Sequence, residues 1–330
     1  MMFIINNNNL IKGVINMNNL KKVGLTALAG ALVSFSANAA ELTVTGGASI
    51  GFTGEEKQNT GNGWSMNDGL TFKATTELDN GWNVTAKQII DSSDGTAGVI
   101  MDTRIITVDM GDNGTLTFSG TGGSSVLNAI DDVTPTAHEE SWDVVTGASA
   151  VVGGVGGDDM FHYSNSSLMD GVTVSVAYVP SNLATVIESS ADYGIKYTGI
   201  EGLTVGLAGG ENNAAAATVD ITNMYVKYAM DAFTVGYQAN EADSETANAD
   251  KDFSAIGISY AVTEETSVSL NRSTIEYENS TLNDQEATGL SVSHVMGSMT
   301  IKAAHNTVDN IAGTATDDRS AYDLSLAFAF

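Results

Sequence analysis

Large apolar side chains that alternate with small or polar ones constrain the fold of this chain more than any other feature. At its end, Tyr322, Leu324, Leu326, Phe328 and Phe330 occupy every second position of the segment SAYDLSLAFAF. The same alternation recurs over residues 172–178, 203–207 and 233–237. A period of two is typical of a β-strand with two unlike faces. After residue 39 no apolar run approaches the ~20 residues of a membrane-spanning helix, so any membrane insertion must use strands.

The first 39 residues have the pattern of an export signal with a short upstream extension. A second methionine, Met17, precedes two lysines and an apolar core over residues 23–35. An Ala-Asn-Ala motif follows at residues 37–39. These are the three parts of a secretory signal peptide. We therefore expect translation to start at Met17 and residues 1–39 to be removed, so that residues 40–330 form the mature domain.

The charge balance is strongly acidic, and removal of the leader makes it more so. The full sequence has 13 lysines and arginines against 40 aspartates and glutamates, a net charge of −27. Three lysines and no acid lie in the leader, which puts the mature net charge at about −30. Such a chain is a poor partner for nucleic acid and a good one for cations. Because the sequence has no cysteine, an exported fold must hold together without disulfides.

Turn signals divide the mature chain into sixteen segments of strand length. Seven short turns, several with the Asn-Gly or Asp-Gly pairs that favour hairpins, lie near Asn80, Asn113, Asp170, Glu201, Asp231, Thr263 and Gly297. Eight longer polar segments separate them, at residues 54–68, 92–99, 120–157, 181–190, 210–217, 242–251, 277–285 and 309–318. This rhythm predicts an all-β fold, a 16-stranded antiparallel transmembrane β-barrel. A secreted β-sandwich with one face in a core is the alternative.

The signal peptide, the sixteen strands, the long third loop and the terminal YDLSLAFAF together resemble the general porins of Gram-negative bacteria. The length and loop pattern are closest to the alphaproteobacterial type, and the resemblance spans the mature chain. It implies an outer-membrane barrel, commonly a homotrimer, through which small hydrophilic solutes diffuse passively. It also implies that the third loop folds inward and that the alternating C-terminal residues form a signal read by the barrel-assembly machinery. The third loop lacks the Pro-Glu-Phe-Gly-Gly stretch of the enterobacterial members, so their detailed constriction geometry is not transferred.

The third loop carries the residues expected to line a constriction. Its apolar residues would pin it to the wall, and five acids would then stand in the aperture: Asp131, Asp132, Glu139, Glu140 and Asp143. Five lysines on the lumen parity of the strands are predicted to form a basic wall across from them: Lys73, Lys87, Lys196, Lys227 and Lys302. A lysine that faces lipid at the midplane costs roughly 2–4 kcal/mol, which favours the inward direction. Arg104, where two alternation phases meet, and Arg272, on the lipid parity, are not assigned to the pore.

The excess of acids predicts a pore that prefers cations over anions. The alternative function is a structural or adhesive outer-membrane barrel whose lumen the third loop plugs. A serine hydrolase needs a Ser-His pair with an orienting group. The patterns around His138, His162, His294 and His305 give it little support, so no enzyme activity is expected. No cofactor is expected either, although loosely bound Ca²⁺ at the acidic segments IDDV, GGDDM and NDQE stays open beside solvated acids.

Overall fold

The computed structural model describes residues 41–57, 63–92, 100–150, 154–181, 188–213 and 217–330; the predicted leader lies outside these ranges. Eight strands come from the first part: β1 (Glu41–Glu55), β2 (Trp64–Glu77), β3 (Asn83–Ser92), β4 (Ile100–Asp109), β5 (Thr115–Thr121), β6 (Met160–Met169), β7 (Val172–Val179) and β8 (Ser190–Tyr197). Eight follow: β9 (Leu203–Asn212), β10 (Val219–Met230), β11 (Phe233–Ser244), β12 (Lys251–Ala261), β13 (Thr266–Tyr277), β14 (Gln285–Met296), β15 (Met299–Asp309) and β16 (Arg319–Ala329). No helix among the described residues is long and apolar enough to cross a membrane.

The sixteen strands form one closed antiparallel barrel, as the turn pattern predicts. Each strand pairs with its neighbours in sequence, and β16 closes the barrel on β1 with Ser49 opposite Ala327. Phe330 extends this seam, since its N–H donates to the carbonyl of Gly46 and its carbonyl accepts from the Gly46 N–H. Closure leaves no strand edge unpaired. The sandwich alternative is therefore wrong.

The two ends of the barrel differ in their connections. All seven predicted short turns are present, and the tightest leave two residues between strands, as at Gly297 and Ser298. Gly297 has a positive φ of 62°, which glycine adopts at no steric cost. We call this the short-turn end and the opposite rim, where the eight longer connections lie, the long-loop end. The third loop, residues 122–159, is much the longest connection.

The outer face carries the large apolar residues that the alternation predicts. Val176, Leu207, Val235 and Leu290 are all between 44% and 59% exposed on the isolated barrel, as expected for side chains that meet lipid. Aromatic pairs join neighbouring strands on this face, including Phe233 with Tyr260 at a centroid distance of 4.5 Å. The apolar band of a transmembrane barrel is thus in place.

Two register shifts explain the mixed alternation around Arg104. The β3–β4 pairing skips a residue at Ile89 and Ile90, and the β4–β5 pairing shifts between Arg104 and Ile105. Arg104 pairs with outward-facing Gln88, and its neighbour Thr103 is buried on the inner side. The Arg104 side chain therefore lies on the outer face, between two β-bulges that reset the alternation.

Apolar burial is concentrated inside the barrel, between the third loop and the wall. Three buried clusters lie there, built around Trp142, around Val144 and Val145, and around Val126. Trp142 packs edge-on against Phe253 of β12 with ring centroids 5.1 Å apart. The third loop therefore supplies the core that a hollow barrel lacks, and its position decides the shape of the lumen.

Candidate functional site: the third loop against the barrel wall

Inward-facing glycines allow the third loop to pack directly against the wall. A Cβ on Gly236 would lie 2.6 Å from the Pro135 ring, and one on Gly257 would lie 2.8 Å from the Pro135 carbonyl oxygen. Gly289 has the same relation to Ser141, whose Cα would be 2.8 Å away. Real Cβ atoms do not approach backbone this closely, so any larger residue would displace the loop. These glycines permit close backbone approach to the wall.

Amide and hydroxyl side chains of the wall satisfy the backbone of the loop. Gln238 Nε2 donates to the carbonyls of Ile130 and Asp131 at 2.9 Å each, and its Oε1 accepts from the Val133 N–H. Further along, the hydroxyls of Ser269 and Ser291 accept from loop N–H groups at 2.8 and 3.1 Å. A buried loop must find partners for its peptide groups, and here the inner wall provides them.

A buried carboxylate and a buried ion pair hold the two ends of the loop. Asp192 of β8 is fully buried and accepts the N–H groups of Val126 and Leu127 at 3.1 and 3.0 Å. At the other end, Glu55 accepts from the Thr146 N–H and pairs with Arg319 at 2.8 Å. The sequence did not single out these three charged residues. The only sequence signal for these residues is a charged side chain at an inward-facing position of a strand.

His138 connects the middle of the loop to β16. Its Nε2 lies 2.8 Å from Asp323 Oδ2, and its Nδ1 lies 3.3 Å from Glu139 Oε1. Asp323 also accepts from the Thr53 hydroxyl at 3.0 Å. The histidine side chain is almost completely buried. It is thus a docking contact, and its partners come from parts of the sequence that no local pattern relates.

The five predicted acids lie in different environments. Asp132 and Asp143 are exposed, while Asp131 and Glu139 are half-buried. Burial, followed by repulsion from Asp132, raises the pKa of Asp131 to about 6. Glu140 is only 7% exposed, and burial, with the neighbouring Asp143 next, raises its pKa to about 9. At neutral pH the loop therefore presents fewer than five negative charges.

The five predicted lysines are all on the inner parity of their strands, near the short-turn end. Burial raises the pKa of the Glu139 carboxyl, and the positive charge of Lys302 opposes part of that rise. Lys227 lines a cavity of about 510 Å³ beneath the loop together with Asp132 and Glu140. Lys73 and Lys87 face each other across β2 and β3. Lys196 lines another cavity under the loop with Ala129 and Ile130. Three of the five lysines thus lie under the loop, and two lie on the strands across the lumen from it.

The inner wall therefore has two parts. The docked arc, the inner face of β8 to β16, carries the glycines, amides and serines that hold the loop. The open arc, the inner face of β2 to β5, is lined by threonine hydroxyls such as the Thr75–Thr85 and Thr107–Thr117 pairs, at 3.0 and 3.2 Å. Among the described residues, no hydrogen bond from loop residues 124–150 reaches the open arc. The lumen lies between the loop and this arc.

Two acidic groups are compact enough to hold a cation among the described residues. One joins His138, Glu139 and Asp323, and the other joins Glu139 to Glu140 and Asp143. The three segments considered from the sequence are not among them. Asp158 of GGDDM accepts from the Gly122 N–H, and Glu286 of NDQE pairs with Arg272 at 2.7 Å.

A hollow, lipid-faced barrel with a loop docked across its lumen defines an outer-membrane channel protein. Residues 24–310 match the model of the Gram-negative porin family, and the chain belongs to that family. No curated protein sequence matches it. Among solved structures, a mutant Rhodobacter blastica porin matches with a TM-score of 0.66 and 13% identity, over 88% of this chain and 100% of that one. The trimer form of OmpT from Vibrio cholerae matches with a TM-score of 0.69 and 12% identity, over 88% of this chain and 99% of that one.

Family membership fixes the location and general class. The chain is a porin of the bacterial outer membrane and not an enzyme. The predictions of family, barrel and inward third loop are confirmed. The roles of the individual acids, lysines and C-terminal residues stay predictions.

Proposed function

We propose that this porin conducts small hydrophilic solutes and ions passively between the third loop and the open arc, with a preference for cations. Residues 1–39 are removed during export in this proposal. The observation that carries it is the asymmetry of the lumen: the loop brings acids to one side, and the open arc facing it offers mainly neutral hydroxyls. Lys73, on the inner parity, is exposed, which supports access of water to the lumen.

Exposed loop acids set the preference. Asp132 and Asp143 are exposed, whereas the buried Glu140 is protonated at neutral pH. Charges between low-dielectric walls focus the potential and enrich counter-ions. Of the five predicted lysines, Lys73 and Lys87 lie across the lumen and offset part of this charge, whereas Lys196, Lys227 and Lys302 lie beneath the loop.

Reversal potentials across planar bilayers in a KCl gradient test the proposal. We expect a cation-selective parent, and a shift toward zero in the double variant Asp132→Asn, Asp143→Asn. Glu140→Gln is the matched control, because it removes a carboxyl that carries no charge at pH 7. Selectivity should also fall between pH 7 and pH 5, as Asp131 takes up its proton with a pKa of about 6. An anion-selective parent would contradict the charge argument.

The plugged barrel is the competing function, since three apolar clusters fix the loop inside the barrel. Absence of conductance steps from folded, heat-modifiable protein would favour it. Discrete steps would exclude it.

We also propose that the protein is a homotrimer, which the V. cholerae OmpT trimer supports by analogy. Arg104 and Gln88 are exposed on the outer face, about halfway along β3 and β4. An arginine that faces lipid at the midplane costs roughly 2–4 kcal/mol. A neighbouring subunit over this part of the wall would remove the cost.

The effect of Arg104→Glu on subunit association tests the trimer. We expect it to shift the folded protein from trimer to monomer in light scattering. Arg272→Glu, which changes an outward arginine on the opposite wall, serves as the control. An unchanged trimer in both variants would remove Arg104 from the interface.

The C-terminal row is proposed as the assembly signal. Phe330 is 72% exposed, so the barrel does not need its side chain for burial. Deletion of Phe330 should lower the outer-membrane level and leave export across the inner membrane intact. Equal amounts of folded barrel in variant and parent would contradict this role.

A further inference from the structure

The cavity beneath the third loop that Lys227 lines is a recess of the docked arc, on the side of the loop that faces the short-turn end. Its volume is about 510 Å³, within the usual range for small-molecule sites. Loop residues such as Asp132 form one side of it, and inward residues of β9 to β12 form the other. It extends as far as Gly202, in a turn at the short-turn end.

The wall of this recess carries polar side chains that have no partner within the described ranges. Neither an ion pair nor a hydrogen bond involves the ammonium of Lys227 there. The same holds for the hydroxyls of Thr234 and Ser259, although these two residues pair directly across β11 and β12. On the open arc, by contrast, the directly paired Thr75 and Thr85 bond to each other through their hydroxyls. The recess therefore leaves its donors and acceptors available to a solute.

The loop side of the recess adds a buried hydroxyl. Thr134 lines the recess and is only 4% exposed, and its Oγ1 has no hydrogen-bond partner among the described residues. A buried polar atom in a folded protein normally has a protein, water or ligand partner. The adjacent Pro135 packs on Gly236, which fixes the position of this part of the loop. The hydroxyl is thus a further group that a polar solute, or water around it, can satisfy.

The charges that line the recess balance each other. Lys227 supplies a positive charge on the wall, and Asp132 supplies a negative charge on the loop. Glu140, the remaining acid that lines it, stays protonated at neutral pH because burial raises its pKa to about 9. No ion pair joins Lys227 to Asp132 in the described part of the chain. A neutral sugar would leave both charges without a counter-charge, and a simple anion or cation would satisfy only one, whereas a solute with both charges satisfies both.

We infer that this recess binds a small zwitterion of the α-amino acid class. The carboxylate of the solute accepts from Lys227 and from the hydroxyl of Thr204, which pairs directly with Lys227 across β9 and β10. The ammonium of the solute donates to Asp132 and to the hydroxyls of Thr234 and Ser259. Both ends thus make charge-assisted hydrogen bonds, which are the strong ones. The role of the recess in transport rests on the proposed diffusion of small solutes, whereas binding itself needs only access from the short-turn end.

Saturation-transfer NMR on detergent-solubilised porin at pH 7 tests the site with three probes of nearly equal size. L-alanine carries both charges, L-lactate has a hydroxyl in place of the ammonium, and L-alaninamide has an amide in place of the carboxylate. We expect alanine to bind roughly tenfold more tightly than either analogue, because each analogue lacks one charge-assisted bond. Equal binding of lactate would indicate a simple anion site, and equal binding of alaninamide would indicate general attraction of cations by the loop. Either result would overturn the assignment.

Variants of the wall locate the site. Lys227→Met should weaken alanine binding by about tenfold, and Ala229→Leu, which adds volume in the recess and leaves its charge unchanged, should weaken it as well. Lys251→Met is the matched control, because Lys251 is an exposed lysine on the inner parity of the same arc that lies at the long-loop end and does not line the recess. Alanine binding that survives both recess variants, or that falls equally in the control, would overturn the assignment.

The binding assay needs no membrane, so the site and the proposed pore fail separately. Conductance steps without alanine binding would overturn the site and leave the pore in place. Alanine binding without conductance steps would support the site and contradict only the passage of solutes. Heat-modifiability confirms that each variant is folded.

Discussion

The docked arc and the open arc belong to the same barrel, yet their inward side chains have different surroundings. The docked arc presents glycines, amides and serines, and its polar side chains hydrogen-bond to the backbone of the third loop. The open arc presents threonine hydroxyls that bond mainly to each other, together with Lys73 and Lys87. Both alternate with an apolar outer face, so strand pattern does not distinguish them.

The difference shows that the third loop decides whether an inner-wall residue contacts protein or water. On the docked arc an inward residue must match a fixed partner in shape and hydrogen bonding, as in a protein core. On the open arc it meets water, and its charge matters more than its fit. Substitutions of the same kind should therefore damage stability on one arc and change only ion selectivity on the other.

The largest difference between the two arcs is expected when an inward glycine is replaced by a larger residue. Gly257→Val would drive a side chain into Pro135, whose carbonyl oxygen is already 2.8 Å from the Cβ position. We expect a loss of about 3 kcal/mol in unfolding free energy, or a displaced loop with larger conductance steps. Urea unfolding and single-channel recording measure the two outcomes.

Gly69→Val on the open arc is the control, because the nearest described atom to its Cβ would be the Ile90 carbonyl oxygen, at 3.5 Å. A change below about 0.5 kcal/mol is expected there. Equal damage from both variants would remove the distinction between the arcs.

A smaller loss is expected from changing one inward carboxylate. Asp192→Asn replaces an oxygen that accepts a loop N–H with an amide that cannot, which should cost about 2 kcal/mol. Asp91→Asn on β3 should cost nothing, since Asp91 Oδ1 is buried and has no hydrogen-bond partner within the described part of the chain. Thermal unfolding of the two variants provides the comparison. A more destabilised Asp91→Asn would show that the open arc also depends on specific contacts.

The pH dependence of stability should follow the docked loop. The pKa of Glu140 is raised from 4.5 to about 9 in the folded protein, so the folded state keeps a proton that the unfolded chain has lost. Stability should then fall as pH rises from about 4.5 to about 9, and Glu140→Gln should remove much of that slope. Unfolding midpoints at pH 5 and pH 8 measure it. A parent that becomes more stable at pH 8 would refute the sign.

The smallest effect on stability is expected on the open arc itself. Lys73→Glu places a charge in water and should change unfolding free energy by less than about 0.5 kcal/mol. It should nevertheless raise cation preference, because it removes a positive charge across from Asp132 and Asp143. Reversal potentials measure the change. A strong loss of stability would mean that Lys73 does not face the lumen.

The sequence predicts the barrel well because its signals are local and repeated. Alternation in β16, with Leu324 and Phe328 outward, and turn residues such as Gly297 each depend on a few neighbours. Sixteen weak signals of one kind reinforce each other. The inner parity of Lys73 and Lys302 follows from the same rule.

The docking of the third loop was decided only by tertiary structure. His138 meets Asp323 and Asp192 meets Val126 through partners 185 and 66 residues apart. The wall glycines Gly236 and Gly257 look like ordinary strand glycines until Pro135 is packed on them. An acid in the loop likewise looks the same whether exposed, as Asp132 is, or buried, as Glu140 is. Period-two alternation fixes which face a residue occupies, but only close packing across the lumen decides whether that face meets water or protein, and hence whether a carboxyl carries its charge.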